Sequence, residues 1–373
     1  MFLRFIFMGL LFFASTTAAQ PNDPCRILYL RPAAVQGMKI LSPDGRRYLV
    51  KKEDRKGTAQ IYVGETAGGD MRCITCRQQP GGPKPARFKM QPTWHPSGNW
   101  IFMAVERDEY AAPPLLGWNR QLVEGWLECG LWTNMYAVTP DGVEWHRLTN
   151  FKSNVKGVAD GYTGPAFTPD GKTAVWSQIV DGNVFKYKPF GKWQMIAADV
   201  VLGEGGPRFE NLRDITPPGM HWNEPGNFAP DNVSLLFSGS DQEDAQGQDQ
   251  FVLNIETGAL RNLNNTPTVW DEHGIFSPDG RKILFMSAWP YRKDPDASKV
   301  LSIKTEFMLM DADGGNMQQL TRFKTKGYPE SGEGIAAVGG WSADGKTLQL
   351  AQLFFPDYKY WELGFAGPCG ASP

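Results

Sequence analysis

The chain lacks the marks of most familiar chemistries. Lys and Arg (38) nearly balance Asp and Glu (40), and no long run of one sign occurs. That argues against nucleic acid or an anionic membrane surface as partner. No Gly-x-Ser-x-Gly elbow, no Walker loop and no dinucleotide fingerprint is present. The single CxxC, Cys73-Ile74-Thr75-Cys76, is followed by Arg77 rather than His, which removes covalent haem attachment. No second CxxC accompanies it, which disfavours a zinc site. Histidines number four and cysteines five in 373 residues, so any ligand set must be drawn from few candidates. The apolar run Phe5 to Ala14 is too short to span a bilayer. With Arg4 before it and Thr17-Ala18-Ala19 after it, residues 1–19 read as an export signal, leaving residues 20–373 as the mature chain. The expected product is periplasmic or secreted, monomeric and without stable membrane insertion.

What is abundant is turn-forming and aromatic: 41 Gly, 28 Pro, 13 Trp and 22 Phe. One phrase recurs six times: Leu41-Ser42-Pro43-Asp44-Gly45, Trp94-His95-Pro96-Ser97-Gly98, Phe167-Thr168-Pro169-Asp170-Gly171, Phe228-Ala229-Pro230-Asp231-Asn232, Phe276-Ser277-Pro278-Asp279-Gly280 and Trp341-Ser342-Ala343-Asp344-Gly345. Pro presets φ at the first central turn position, and Gly takes the left-handed position that closes the hairpin. An apolar strand follows each copy. A third strand often ends in Asp-Gly, and a fourth carries a Leu-Thr-like pair such as Leu148-Thr149 or Leu320-Thr321. Four short antiparallel strands, repeated, describe a propeller blade.

The reading is an all-β, six-bladed propeller in one domain, with blades near residues 37–77, 90–150, 161–217, 223–265, 271–323 and 336–366. The last blade is one strand short. Residues 26–30 form a spare strand that can complete it and close the ring, which would bring Cys25 beside Cys369. Cys73 and Cys76 are spaced for a short local bridge, and Cys129 is left over.

The phrases Phe276 to Phe285 and Met310-Asp311-Ala312-Asp313-Gly314-Gly315 through Gln319-Leu320-Thr321 resemble the TolB-type, WD-like propeller repeat. The resemblance covers nearly the whole mature chain. The separate α/β domain of TolB is not expected, because only residues 20–38 precede the first blade.

Antiparallel alternation puts the Ser-Pro-Asp-Gly turns at one end of the ring and the lead-ins to each first strand at the other. Those lead-ins carry acids, His and aromatics beside glycines: Tyr162, then His221-Trp222-Asn223-Glu224, then Trp270-Asp271-Glu272-His273, then Glu333. The insertion Arg107 to Gly130 should join them at that mouth. His221, Trp222, Glu224, Trp270, Asp271, Glu272, His273, Tyr162 and Glu333 are therefore the candidate ligand-binding residues. No catalytic residue and no obligatory cofactor is assigned. His95 is read as a turn substituent and His146 as structural. The function expected is binding of a protein segment or a glycan at the insertion-bearing mouth. One alternative is a metal-dependent enzyme of the sugar-lyase kind, which some TolB-like propellers resemble, with a divalent metal on His221, His273 and neighbouring acids. Another is a purely structural interaction module with an apolar face.

Overall fold

The computed structural model describes residues 23–34, 37–108, 127–151, 161–183, 186–188, 191–242, 247–299, 302–354 and 357–369. Residues 1–19, read from the sequence as an export signal, and most of the insertion after Arg107 lie outside these residues. Strand β1 (Ile27–Pro32) precedes blade one, which holds β2 (Ile40–Leu41), β3 (Arg47–Glu53), β4 (Ala59–Glu65) and β5 (Arg72–Cys73). Blade two holds β6 (Lys89–Trp94), β7 (Ile101–Glu106), β8 (Thr133–Val138) and β9 (Trp145–Arg147). Blade three holds β10 (Tyr162–Phe167), β11 (Thr173–Asp181), β12 (Lys192–Gly203) and β13 (Gly206–Asp214). Blade four holds β14 (Trp222–Phe228), β15 (Ser234–Ser240), β16 (Asp249–Asn254) and β17 (Leu260–Asn262). Blade five holds β18 (Asp271–Phe276), β19 (Lys282–Ser287), β20 (Glu306–Asp311) and β21 (Gln318–Gln319). Blade six holds β22 (Ile335–Trp341), β23 (Thr347–Phe354) and β24 (Asp357–Phe365). Its fourth position is filled by β1, in the order β1-β24-β23-β22.

Each sheet is antiparallel and four-stranded, so the protein is a six-bladed β-propeller. β1 pairs with β24 from Ile27 opposite Phe365 to Pro32 opposite Trp361. Cys25 and Cys369 are disulfide-bonded, as are Cys73 and Cys76. Blades six and one also meet through Lys39, whose backbone N–H donates to Gln349 Oε1 at 3.0 Å.

The repeated phrase builds one turn. In blade five the Ser277 hydroxyl donates to Asp279 Oδ1 at 2.7 Å, and the Arg281 N–H donates to the same carboxylate at 3.1 Å. The Lys282 N–H donates back to Ser277 Oγ at 3.0 Å. The same set recurs at Ser42-Asp44, Thr168-Asp170 and Ser342-Asp344. Gly280 closes the turn at φ 73°, a conformation that suits residues without a β-carbon. In blade four Asn232 takes that place at φ 65°, which asparagine tolerates.

The core lies between the blades rather than at the ring's centre. Leu49, Ile61, Ile101 and Met103 fill the seam of blades one and two, and Val175, Met195, Leu235 and Phe237 that of blades three and four. Leu284, Leu309, Leu348 and Leu350 fill the seam of five and six. Alternating strand positions feed adjacent seams, so blades two to five are held by apolar side chains on both faces.

Candidate functional site

The first strands of blades two to six share a defect. Their ladders slip between Met90 and Thr93, Thr163 and Ala166, Pro225 and Phe228, Glu272 and Ile275, and Ala336 and Gly339. Each slip is a bulge, which bends the strand and re-aims a side chain. In blade five the bulge falls on His273, held at φ 55° in the left-handed region. Glu272 and His273 are consecutive, and in a regular strand they would face opposite sides. The bulge turns both to one point.

There they meet Glu224 of blade four. The ligand-capable atoms of Glu224, Glu272 and His273 all lie within 4.8 Å of one another. His273 Nε2 stands 3.7 Å from Glu224 Oε2. Each group is also held from behind. Thr163 Oγ1 donates to Glu224 Oε1 at 3.2 Å, and Trp270 Nε1–H donates to Glu272 Oε2 at 2.9 Å. His273 Nδ1 lies 3.1 Å from the Ala337 carbonyl, so in the neutral ring Nδ1 carries the proton and Nε2 the lone pair. These contacts run through four consecutive blades, from Thr163 to Ala337.

Crowding sets the charges. Burial pushes the Glu224 carboxyl up to about 7; His273 opposes that shift and Glu272 adds to it. Burial works against the His273 imidazolium, but Glu272 and Glu224 outweigh it and hold its pKa above the ordinary value. Desolvation, with Glu224, Glu272 and Glu128 adding to it, holds the Cys129 thiol above its ordinary value even though part of its surface is exposed.

The site opens on a cavity of about 180 Å³ lined by Glu224, Gly226, Ser238, His273, Gly274 and Val338, among others. A larger cavity, about 350 Å³, lies at the turn-bearing end against Pro169, Pro230, Pro278, Phe228, Phe276 and Trp341. It has no ionisable side chain in its lining, whereas the smaller one has Glu224 and His273.

Of the residues expected from the sequence, Glu224, Glu272 and His273 converge, with Trp270 directly behind. Asp271 faces into the blade instead, where its Oδ2 accepts from Asn264 Nδ2 at 3.1 Å and Thr266 Oγ1 at 2.9 Å. Tyr162 is fully buried beside Phe151. Trp222 donates to Gln248 Oε1 and meets Trp193 edge-on. His221 lies against Tyr187, with ring centroids 5.5 Å apart, outside the three-residue cluster. Glu333 is exposed and pairs with Lys324. His95 is a turn substituent, its Nδ1 2.9 Å from Ser97 Oγ, and its Nε2 also reaches the Gly171 carbonyl of blade three at 2.9 Å. Sequence reading passed over Thr163, Gln250 and the Ala337 carbonyl. Thr163 carries a legible signal: counting back four from the aromatic before each turn gives Met90, Thr163, Glu224, Glu272 and Ala337.

No family model matches the chain. A curated relative, an uncharacterized peptidase (YuxL) of Bacillus subtilis, is 30% identical over 151 residues, which is 36% of this chain and 20% of that protein. The chain thus spans about a fifth of that relative's length. TolB from Acinetobacter baumannii superposes with a TM-score of 0.50 at 12% identity, covering 91% of this chain and 64% of TolB. Oligogalacturonate lyase from Vibrio parahaemolyticus superposes with a TM-score of 0.50 at 11% identity, covering 91% of each chain. What this chain shares with TolB and with the lyase is the six-bladed propeller fold.

Proposed function

We propose that the protein is an exported propeller that works by binding, taking a protein segment or a glycan fragment at the insertion-bearing mouth. Glu224, Glu272 and His273 are its polar anchor. The observation that carries this reading is the convergence of three ionisable side chains from two blades, two of which, Glu224 and His273, line one small cavity. Burial makes each polar contact there count for more than it would in water. Export is supported by the two disulfides, which persist in oxidising compartments.

A second reading, metal-dependent carbohydrate cleavage, draws on the same cluster. It is the weaker one, because His221 stands apart and leaves one imidazole where two were expected.

The test is capture of partners from the protein's own envelope or secretome by wild type and by a His273→Ala, Glu224→Ala double variant. Loss of a partner from a variant whose melting is unchanged supports the channel mouth. Equal capture by a well-folded double variant moves binding to the insertion Arg107 to Gly130.

A further inference from the structure

We infer that Glu224, Glu272 and His273 hold one divalent first-row transition cation, with open positions facing the cavity. The inference rests on the reading of the channel mouth as the binding site and names what that site holds.

Three observations carry it. The first is spacing: donor atoms about 2.1 Å from a shared ion stand roughly 3–3.6 Å apart. The His273 Nε2 to Glu224 Oε2 separation of 3.7 Å lies just beyond that range, a small closure away from it, and is too long for a direct hydrogen bond. The second is the outer support. Ala337, Thr163 and Trp270 each hold one atom of a ligand and leave another atom to the common point. Such partners fix tautomer and orientation in metal sites.

The third lies outside the cluster. Gln250 is fully buried, and its Nε2 donates to Ser238 Oγ at 3.1 Å and to the Asp271 carbonyl at 3.0 Å. Its Oε1 has no hydrogen-bond partner. That oxygen lies against Gly274, 1.9 Å from where a β-carbon there would stand, and Gly274 lines the same cavity. A buried, unpaired carbonyl oxygen is costly unless something donates to it or coordinates it. Water on a cation in this cavity is such a donor. Two carboxylate oxygens with one imidazole nitrogen suit Zn²⁺, Co²⁺ or Mn²⁺. They are too few and too mixed for Ca²⁺, which takes six to eight oxygens.

The experiment uses the full folded chain after chelator treatment and dialysis. Zn²⁺ and Mn²⁺ are titrated by calorimetry, bound metal is counted by elemental analysis, and Co²⁺ absorption reports the ligand field. The inference expects one equivalent of Zn²⁺, at least tenfold weaker Ca²⁺, and a loss of about 100-fold or more in Glu272→Gln and in His273→Gln. His221→Gln, outside the cluster, should bind as wild type does. Circular dichroism and melting confirm that each variant is folded. Absence of a stoichiometric site in wild type overturns the inference, as does equal binding by all variants, which marks an adventitious ion only. If Zn²⁺ fails to bind while His273→Gln still abolishes partner capture, the cation is refuted and the channel mouth stands. If the ion binds and capture is indifferent to His273→Gln, the cation stands and the partner reading falls.

Discussion

Lys89 holds in blade two the place that Asp271 holds in blade five, five residues before the aromatic that precedes the turn. It is fully buried, and its ammonium donates to the Lys84 and Pro85 carbonyls at 3.1 and 3.0 Å. Burial pushes its pKa down to about 7, against the pull of Asp54 and Glu106. The folded chain therefore holds this proton less tightly than the unfolded chain does. Stability should rise with pH from about 7 toward the ordinary lysine value, as the buried group goes neutral. Lys89→Met should flatten that rise. The wild-type minus variant difference in unfolding free energy should grow by on the order of 3 kcal/mol between pH 7 and pH 10. Urea titrations at the two values test it, and parallel profiles would refute it. This residue also shows where sequence reading stopped. The five-back positions Lys89, Tyr162, Asn223, Asp271 and Ala336 all turn into the blades, whereas Glu224 and Glu272, four back, turn to the channel. Asp271 and Glu272 are chemically alike, so residue type could not separate them. The offset could. His273 was beyond even that rule, since its aim depends on a backbone bulge.

Hairpins were the most legible elements, because their chemistry is local. Ser, Asp and Gly at fixed offsets satisfy one another without help from the rest of the chain, so six turns could be read directly. Removing one carboxylate gives a bounded loss. Asp279→Ala should destabilise by about 1 kcal/mol, read as a small fall in melting temperature. A fall of more than about 3 kcal/mol would mean the turn bears more than its own hydrogen bonds. The first strands behave differently, because neighbouring blades press on them. The β-carbon added by Gly226→Ala would stand 2.2 Å from the Gly274 carbonyl of the next blade. That substitution should cost upwards of about 2 kcal/mol by overpacking. A melting temperature equal to wild type would show that the seam between blades four and five can open without loss.

At the scale of the whole molecule, the ring closes by pairing β1 with β24 and by joining Cys25 to Cys369. The bridge spans 344 residues, so it restricts nearly the entire unfolded chain. Cys25→Ser with Cys369→Ser should lower stability by up to about 6 kcal/mol in the loop-entropy picture. It should also promote association on warming, because release of β1 bares the edge of β24. Calorimetry with light scattering measures both. Wild-type melting in the double variant would show that β1 holds by strand pairing alone. The closure was legible because blade six was one strand short and a spare strand stood near the start of the chain.

That closure also orders events in time. A chain made from its N-terminus presents β1 first, but the strand that β1 must pair with is made last. Blades one to five can form in sequence as their strands emerge, each from contacts close along the chain. β1 then waits, unpaired, through almost the whole of synthesis. Contacts of such long separation form slowly. Completion of the ring is thus a late, single step, and a chain stopped just before Asp357 would hold the first five blades and still lack a closed channel.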